Sequence, residues 1–428
     1  MKKPATLGLA GTVLALALTV SAASADRGRT AVSGPTLIPA GKVGPSHGGP
    51  ARGPYGYLPL HAREFARAKA AANARAGLAA KPGRPGKGGG GGPIVSTYPN
   101  VSPSFNGTYL SGVTPPDTTG AIGPDRYIET VNTQYAIYSR TGAQVNSGSL
   151  SSLTGIGGGL FGYSLSDPQM MWDAKTQRFY YSAVYYDFFL SDNGIAVGWS
   201  KTATPSSSND FCKYAISFGG ELPDYPKLGD SSDFLLYGYN QFGNFGSTYD
   251  GSEFATLNKP PAGSSCAPTS AFAVYTSGVL RNADNSLAAT PVPANLVDDS
   301  NGAGYVAANA DLSLTPSADF VSVYSVTTSG TDANGIPVPS VSVPTSVSVP
   351  SYSMPANAPQ NGSTYLLDTL DGRFEAAVAA VDPGHGVAVW TAHAVSGGAG
   401  AAGGGAAAPS SSRRSAAAAS ASRAALAA

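Results

Sequence analysis

The chain has 428 residues, of which only 12% are charged, with 54 Gly, 33 Pro, 22 Tyr and 15 Phe. That length holds two or three ordinary domains or one large all-β domain, and the turn-forming, tyrosine-rich, charge-poor composition argues against a helical cytosolic protein. The formal net charge of zero conceals a split: residues 26–93 carry eleven basic side chains against two acidic, and residues 94–395 carry ten against twenty-four.

In chain order, residues 1–25 read as a signal peptide. Lys2 and Lys3 form the charged start, Leu7 to Val20 the apolar run, and Ala23-Ser24-Ala25 a small-x-small cleavage site. The run is too short for a membrane anchor, and no later stretch could span a bilayer. The chain is therefore expected to be secreted, extracellular or cell-wall associated, with no membrane span after signal removal.

Residues 26–93 are rich in Gly, Pro, Ala and Arg and end in a KPGRPGKGGGGGP linker. They read as a disordered basic segment, a pro-segment or wall-proximal spacer. Only His61 to Ala80 has helical composition, and its apolar face is thin. Aromatic residues are not interleaved with the charges as in a nucleic-acid-binding arm, so no nucleic-acid partner is expected. Attraction to anionic wall polymer or to the chain's own acidic domain is the better reading.

From Ile94 to Gly400, strand-like runs alternate with turn clusters. Arg126–Asn132, Gln134–Tyr138, Phe179–Tyr186, Gly194–Trp199, Phe234–Tyr239, Ala271–Tyr275, Phe320–Val326 and Glu375–Val381 are predicted strands. Ser166 to Asp187 reads as a complete hairpin. Tight turns are predicted at Arg140-Thr141-Gly142-Ala143, Asp192-Asn193-Gly194 and Asp250-Gly251. An aromatic residue preceded by a charge opens a run at Tyr127, Phe179, Phe234, Phe320 and Phe374, at separations of 52, 55, 86 and 54. Units of that size predict an all-β fold, a β-propeller of repeated antiparallel sheets; a β-sandwich with long loops is the alternative. Pro337 to Pro355 reads as an edge strand or extended connector.

Cys212 and Cys266 are candidates for one disulfide in an exported protein; two separate buried thiols are the alternative. No metal-ligand spacing occurs, so no metal or cofactor is expected beyond a structural calcium at Asp298-Asp299-Ser300-Asn301-Gly302, which gathers oxygen ligands around a turn glycine. After Gly400 the composition collapses to Ala, Gly, Ser and Arg. Residues 401–428 read as a low-complexity tail, and a reading-frame slip in a GC-rich gene accounts for its content. If so, the propeller is incomplete at its C-terminus.

No G-x-S-x-G elbow, Asp-box or arginine clamp is present. Arg126, Arg178 and Arg373 sit where they would pair with Asp125, Asp173 and Asp371. Asp192, Asp250, Asp284 and Asp332 are turn-formers beside Gly or Asn. Asp117, Asp167 and Asp224 differ: each lies next to Pro or Thr where a strand begins, and in a propeller such positions crowd one face of the ring. They are the candidate binding residues; the plainer alternative is that they cap turns.

Four motifs carry a resemblance: Pro115-Pro116-Asp117-Thr118-Thr119-Gly120 with Gly123-Pro124; Ser166-Asp167-Pro168 with Trp172-Asp173 and Arg178-Phe179; Asp224-Tyr225-Pro226-Lys227; and Asp368 to Arg373. From about Val113 to Gly400 the chain resembles a family of exported bacterial β-propellers of sialidase-like fold and uncertain function. The resemblance implies no established chemistry. The favoured reading is a secreted binding or surface-associated module without an evident catalytic site, its partner a cell-wall polysaccharide or an extracellular protein. The alternative is a glycan-active hydrolase or lyase using Asp117, Asp167 or Asp224. A third reading is a truncated, inactive remnant.

Overall fold

The computed structural model describes residues 29–30, 32–33, 35–43, 58–77, 104–109, 115–157, 162–243, 246–260, 266–298, 301–359, 363–383, 386–396 and 420–427. The strands run as successive antiparallel meanders. Blade 1 is Thr119–Ile122, Arg126–Val131, Gln134–Ser139 and Gln144–Ser149. Blade 2 is Ser164–Asp173, Arg178–Tyr186, Asn193–Ser200 and Phe211–Gly219. Blade 3 is Leu222–Asp230, Phe234–Gly243, Thr248–Asn258 and Val274–Thr276. Blade 4 is Ala288–Leu296, Gly304–Ala310, Ala318–Thr331 and Pro337–Val341, with Thr345–Tyr352 sharing the edge of the third strand. Blade 5 is Phe374–Asp382, Gly386–Val395 and Ser420–Ala427. The first strand of each blade from 1 to 4 lies against the first strand of the next. The fold is a β-propeller whose first strands line the axis.

Tyrosine-rich strands suit this arrangement because each central sheet is covered on both faces. All nine residues of Arg178–Tyr186 are buried. Tyr181, Ala183 and Tyr185 pack with Ile128, Tyr135 and Ile137 of blade 1, while Tyr180 packs with Leu235, Tyr237 and Tyr239 of blade 3. The alternation read from the sequence thus sends the two tyrosine sets to the two neighbouring blades. Close approach between blades also needs glycine: a Cβ on Gly238 would lie 2.0 Å from the Pro291 carbonyl oxygen of blade 4.

The repeat exists, but its phase differs from the aromatic pattern. Tyr127, Phe179 and Phe234 sit in second strands, Phe320 in the third strand of blade 4, and Phe374 opens the inner strand of blade 5. A charge followed by an aromatic marks a strand start, not a place within a blade. What recurs instead is a bulge in each inner strand, with two residues opposite one on the neighbour. The pairs are Asp167-Pro168, Tyr225-Pro226, Thr290-Pro291 and Glu375-Ala376. Asp117-Thr118 stands at the same place, between the Asn132 N–H bond to Pro116 O and the Thr119–Thr130 pair. Asp117, Asp167, Tyr225 and Thr290 all have positive φ, between 44° and 57°. Proline is tolerated there because the axial edge makes no ladder bond at these bulges. The inner strands of blades 4 and 5 do pair, in parallel, but beyond the bulges, where Ala294, Asn295 and Leu296 meet Ala377, Val378 and Ala379.

Other expectations change. Asp250-Gly251 lies inside the strand Thr248–Asn258, and the Gly246 N–H bonds Gly243 O ahead of that strand. Ala271 ends a 3-10 turn before the strand Val274–Thr276. Both Pro337–Val341 and Thr345–Tyr352 pair with Ala318–Thr331, so the Pro/Ser/Val segment supplies edge strands.

The basic segment is not wholly disordered. Arg29–Thr30, Val32–Ser33 and Thr36–Pro39 add to the outer edges of blades 4, 3 and 2. Helix α1, Ala62–Arg75, buries Ala72 and packs Phe65 and Ala68 on blades 4 and 5, more than its sequence led us to expect. Two- to four-residue strands join through backbone bonds alone and so leave no side-chain signature. Residues 1–28 and 401–419, where the signal peptide and most of the tail fall, lie outside the described residues.

Cys212 and Cys266 are bonded and tie the outer strand of blade 2 to the loop after the third strand of blade 3. Closing a loop of 54 residues restricts the unfolded chain. Cys266→Ser is expected to cost about 2–4 kcal/mol in chemical denaturation. A midpoint indifferent to reductant would show that the bond contributes nothing.

Candidate functional site

The bulges aim their residues at the axis near the N-terminal ends of the inner strands. Asp117 and Asp167 lie within hydrogen-bonding reach of each other, and Asp224 feels both charges. All three are half-buried. The structure therefore brings the three sequence-nominated aspartates to one mouth.

Asn132 organises the blade 1–2 side. Its Nδ2 donates to Asp117 Oδ2 and, at 2.9 Å, to Pro115 O, while its Oδ1 accepts the Asp167 N–H at 2.8 Å. On the other side stand Tyr225, Lys227, Arg373 and Glu375. Tyr225 donates its hydroxyl to Glu375 Oε2 at 2.5 Å. Its ring lies 4.1 Å from Lys227 Nζ and 4.6 Å from Arg373 Cζ, one cation–π contact from each. Lys227 Nζ is 3.9 Å from Glu375 Oε2, and Arg373 is held bidentate by Asp371 at 2.8 Å per bond.

Burial sets the protonation states. It pushes the Asp224 carboxyl up to about 8, with the Asp167 charge adding to the shift and Arg373 opposing it. Burial, then the Asp117 charge, pushes Asp167 up to about 6. Asp117 is raised less, because the Asn132 hydrogen bond and Lys227 favour its ionised form. Burial lowers Lys227. Three like charges in one mouth cannot all ionise near neutrality.

A stability consequence follows with a definite sign. Asp224 holds its proton more tightly folded than unfolded, where a carboxyl titrates near 4. The stabilisation is complete below about pH 4 and is lost as pH rises through about 8. Asp224→Asn, neutral throughout, should match wild type at pH 4 and exceed it by about 1–3 kcal/mol at pH 8, allowing for partial solvent access. Thermal melts at the two pH values test this, and a variant less stable at pH 8 would contradict it.

Six residues further along the same two inner strands stand Asp173 and Asp230, about 15–20 Å away at the far end of the axis. They are different chemistry. Lys259 Nζ bonds both, at 2.8 and 2.7 Å, and all three side chains are buried. Burial pushes both carboxyls up, but the lysine and bonds from Thr176 and Lys175 bring Asp173 below the usual range; Asp230, more deeply enclosed, stays up at about 6. Asp173 and Arg178 stand opposite each other in the strand register; Lys259 Nζ donates to Asp173 Oδ2, and Arg178 Nη1 donates to Ser200 O. Arg126 likewise bonds carbonyl oxygens of Pro205 and Asp125.

A cavity of about 550 Å³ is lined by Thr133, the residue after Asn132, with Gln134, Ser147, Ser149, Leu150, Tyr163, Ser164 and Leu165; none of the three aspartates lines it. Its walls are rich in hydroxyl and amide groups. At the calcium candidate, Asp298 Oδ2 accepts the Val381 N–H and Asn301 Nδ2 donates to the Tyr305 hydroxyl; Asp299 and Ser300 lie outside the described residues. Among the described residues no group of three His, Cys, Asp or Glu could hold a metal. No described helix is long and apolar enough to cross a membrane.

Sequence reasoning missed Asn132, Lys227 and Glu375 as members of the site. The signal was present: Asp-Pro, Tyr-Pro and Thr-Pro recur inside otherwise strand-like runs.

No family model matches the chain. No curated protein matches it either. Among solved structures, an exo-β-1,3-galactanase from Clostridium thermocellum is 13% identical, with TM-score 0.32 over 67% of this chain and 56% of that one. The chain thus spans little more than half of that enzyme. A GH43 endo-arabinanase from Bacillus licheniformis is 12% identical, with TM-score 0.29 over 65% and 88%. An exo-1,5-α-L-arabinanase from a bovine ruminal metagenomic library is 12% identical, with TM-score 0.28 over 65% and 87%. These are distant likenesses, and no residue of theirs is carried over. The sialidase-like part of the expected resemblance has no counterpart among these three.

Proposed function

We propose that the axial carboxylates form the active site of a secreted hydrolase acting on a neutral polysaccharide. The observation that carries the reading is the meeting of Asp117, Asp167 and Asp224 on neighbouring inner strands, where burial and mutual charge raise the carboxyls unequally. Such a spread is what distinguishes an acid from a base in one site. Asp224, protonated near neutrality, gives its proton to the glycosidic oxygen as the bond to the anomeric carbon breaks. Asp117, where the Asn132 hydrogen bond and Lys227 oppose the upward push of burial, takes a proton from the water that attacks that carbon. Asp167 lies between them and raises the acid's affinity for its proton.

The substrate class follows from charge and lining. The acidic propeller disfavours an acidic sugar, and the hydroxyl-rich walls of the cavity that begins at Thr133 suit sugar hydroxyls. A cell-wall or other extracellular polysaccharide meets both conditions, and the Cys212–Cys266 bond fits that compartment. This makes the catalytic alternative, rather than the binding-only module, the preferred reading.

The test is release of reducing ends from arabinan, galactan, xylan and glucan, alongside aryl glycosides, by the purified chain. Turnover of at least one, lost in Asp117→Asn and Asp224→Asn, is expected. Retention of a polysaccharide without cleavage would return the chain to the binding-module class.

A further inference from the structure

We propose that residues 58–75 form a built-in strap that covers part of the axial mouth and limits access to the carboxylates. The inference rests on reading those carboxylates as a site, but it concerns access rather than chemistry. Leu60 is 5% exposed and belongs to an apolar cluster with Val184, Tyr186, Leu222, Phe242 and Ala289. These residues mark one end of the axis. Val184 pairs with Ser166, next to Asp167; Leu222 precedes Asp224 by two residues; Ala289 precedes the Thr290 bulge. Leu60 therefore joins blades 2, 3 and 4 at the end that bears the acids.

The next residues hold the strap in place. The His61 ring meets Tyr249 edge-on at 5.3 Å between centres, and its Nε2 lies 3.4 Å from Asp311 Oδ2. Tyr249 in turn feels the charge of Arg373, a member of the carboxylate cluster. Helix α1 then anchors on the loops before blade 5. Lys69 Nζ donates to Leu370 O at 2.5 Å, Thr369 Oγ1 at 2.8 Å and Pro355 O at 3.1 Å, and lies 3.3 Å from Asp368 Oδ1. Asn73 Oδ1 accepts the Asn357 N–H at 2.8 Å. A buried lysine satisfied by two carbonyls and a hydroxyl is a built contact, and a basic helix on an acidic propeller is electrostatically matched. The edge strands upstream tie the same segment to blades 2, 3 and 4. Leu60 is a buried apolar plug between these anchors and the mouth, with Leu58 partly buried on the same cluster.

The measurement is carboxyl labelling with a water-soluble carbodiimide and glycinamide, read by peptide mass spectrometry on the full chain. Asp284, an exposed turn residue, is the internal control. Leu60→Asp is expected to raise labelling of Asp167 and Asp224 about tenfold, and the milder Leu60→Ala by about threefold, with Asp284 unchanged. Near-ultraviolet dichroism confirms that each variant is folded, and Leu60→Ala serves if Leu60→Asp is not. Equal or slower labelling in the folded variants overturns the strap. Labelling does not depend on turnover. Faster labelling with no polysaccharide cleaved by any variant would sink the hydrolase reading and leave the strap standing.

Discussion

Asp224→Asn is expected to lower polysaccharide hydrolysis by about a hundred- to ten-thousandfold, because it removes the proton that the leaving sugar needs. The same variant should lose far less on a glycoside whose leaving group is already acidic, such as dinitrophenol, since that group departs without protonation. The pH profile supplies a second check. Burial and the Asp167 charge hold Asp224 at about 8. Wild-type activity should fall beyond about pH 8, and Asp224→Asn should lose that alkaline limb. Set beside its expected gain in stability at pH 8, this variant would trade activity for stability, as a site that stores like charges does. Polysaccharide turnover within about threefold of wild type would remove Asp224 from the acid role.

Lys259→Ala is expected to be the most damaging single change to stability, about 3–5 kcal/mol at pH 8. The lysine is the shared cation of Asp173 and Asp230, and both carboxylates are buried within 3 Å of it. Its removal leaves two buried charges facing each other across the wall of a cavity of about 370 Å³. The pair belongs to the ends of adjacent inner strands, so the loss falls on the contact between blades 2 and 3. Protonation can relieve part of it, and the deficit should shrink at pH 5, where one carboxyl takes up a proton. Denaturant melts at the two pH values read both effects. A loss below about 1 kcal/mol at pH 8 would show that the charges find water or another partner.

The contrast between the two ends of the axis explains why one is a candidate site and the other a clamp. Asp167 and Asp173 lie on one strand, Asp224 and Asp230 on the next, each pair six residues apart. At one end Lys259, just past the third strand of blade 3, reaches both carboxylates. At the other the nearest cations, Lys227 and Arg373, are committed in part to Tyr225, Glu375 and Asp371. The bulge turns the chain through positive φ there, and strained backbone concentrates where a side chain must be re-aimed.

Strand existence, the all-β class and the three aspartates were legible in the sequence because they depend on local features. Aromatic and β-branched runs favour an extended, doubly covered strand wherever it ends up, and an acid beside proline at a strand start is already out of the ladder. The phase of the repeat, the role of residues 29–75 and the partners of the aspartates required the folded chain. Asn132, Lys227 and Glu375 come from separate blades, and only closing the ring places them around one mouth. Pairing by backbone alone hid the edge strands, and Leu60 became a plug only when blades 2, 3 and 4 gave it a socket. Burial, which sets every raised carboxyl here, is a property of that assembly and of no single stretch of residues.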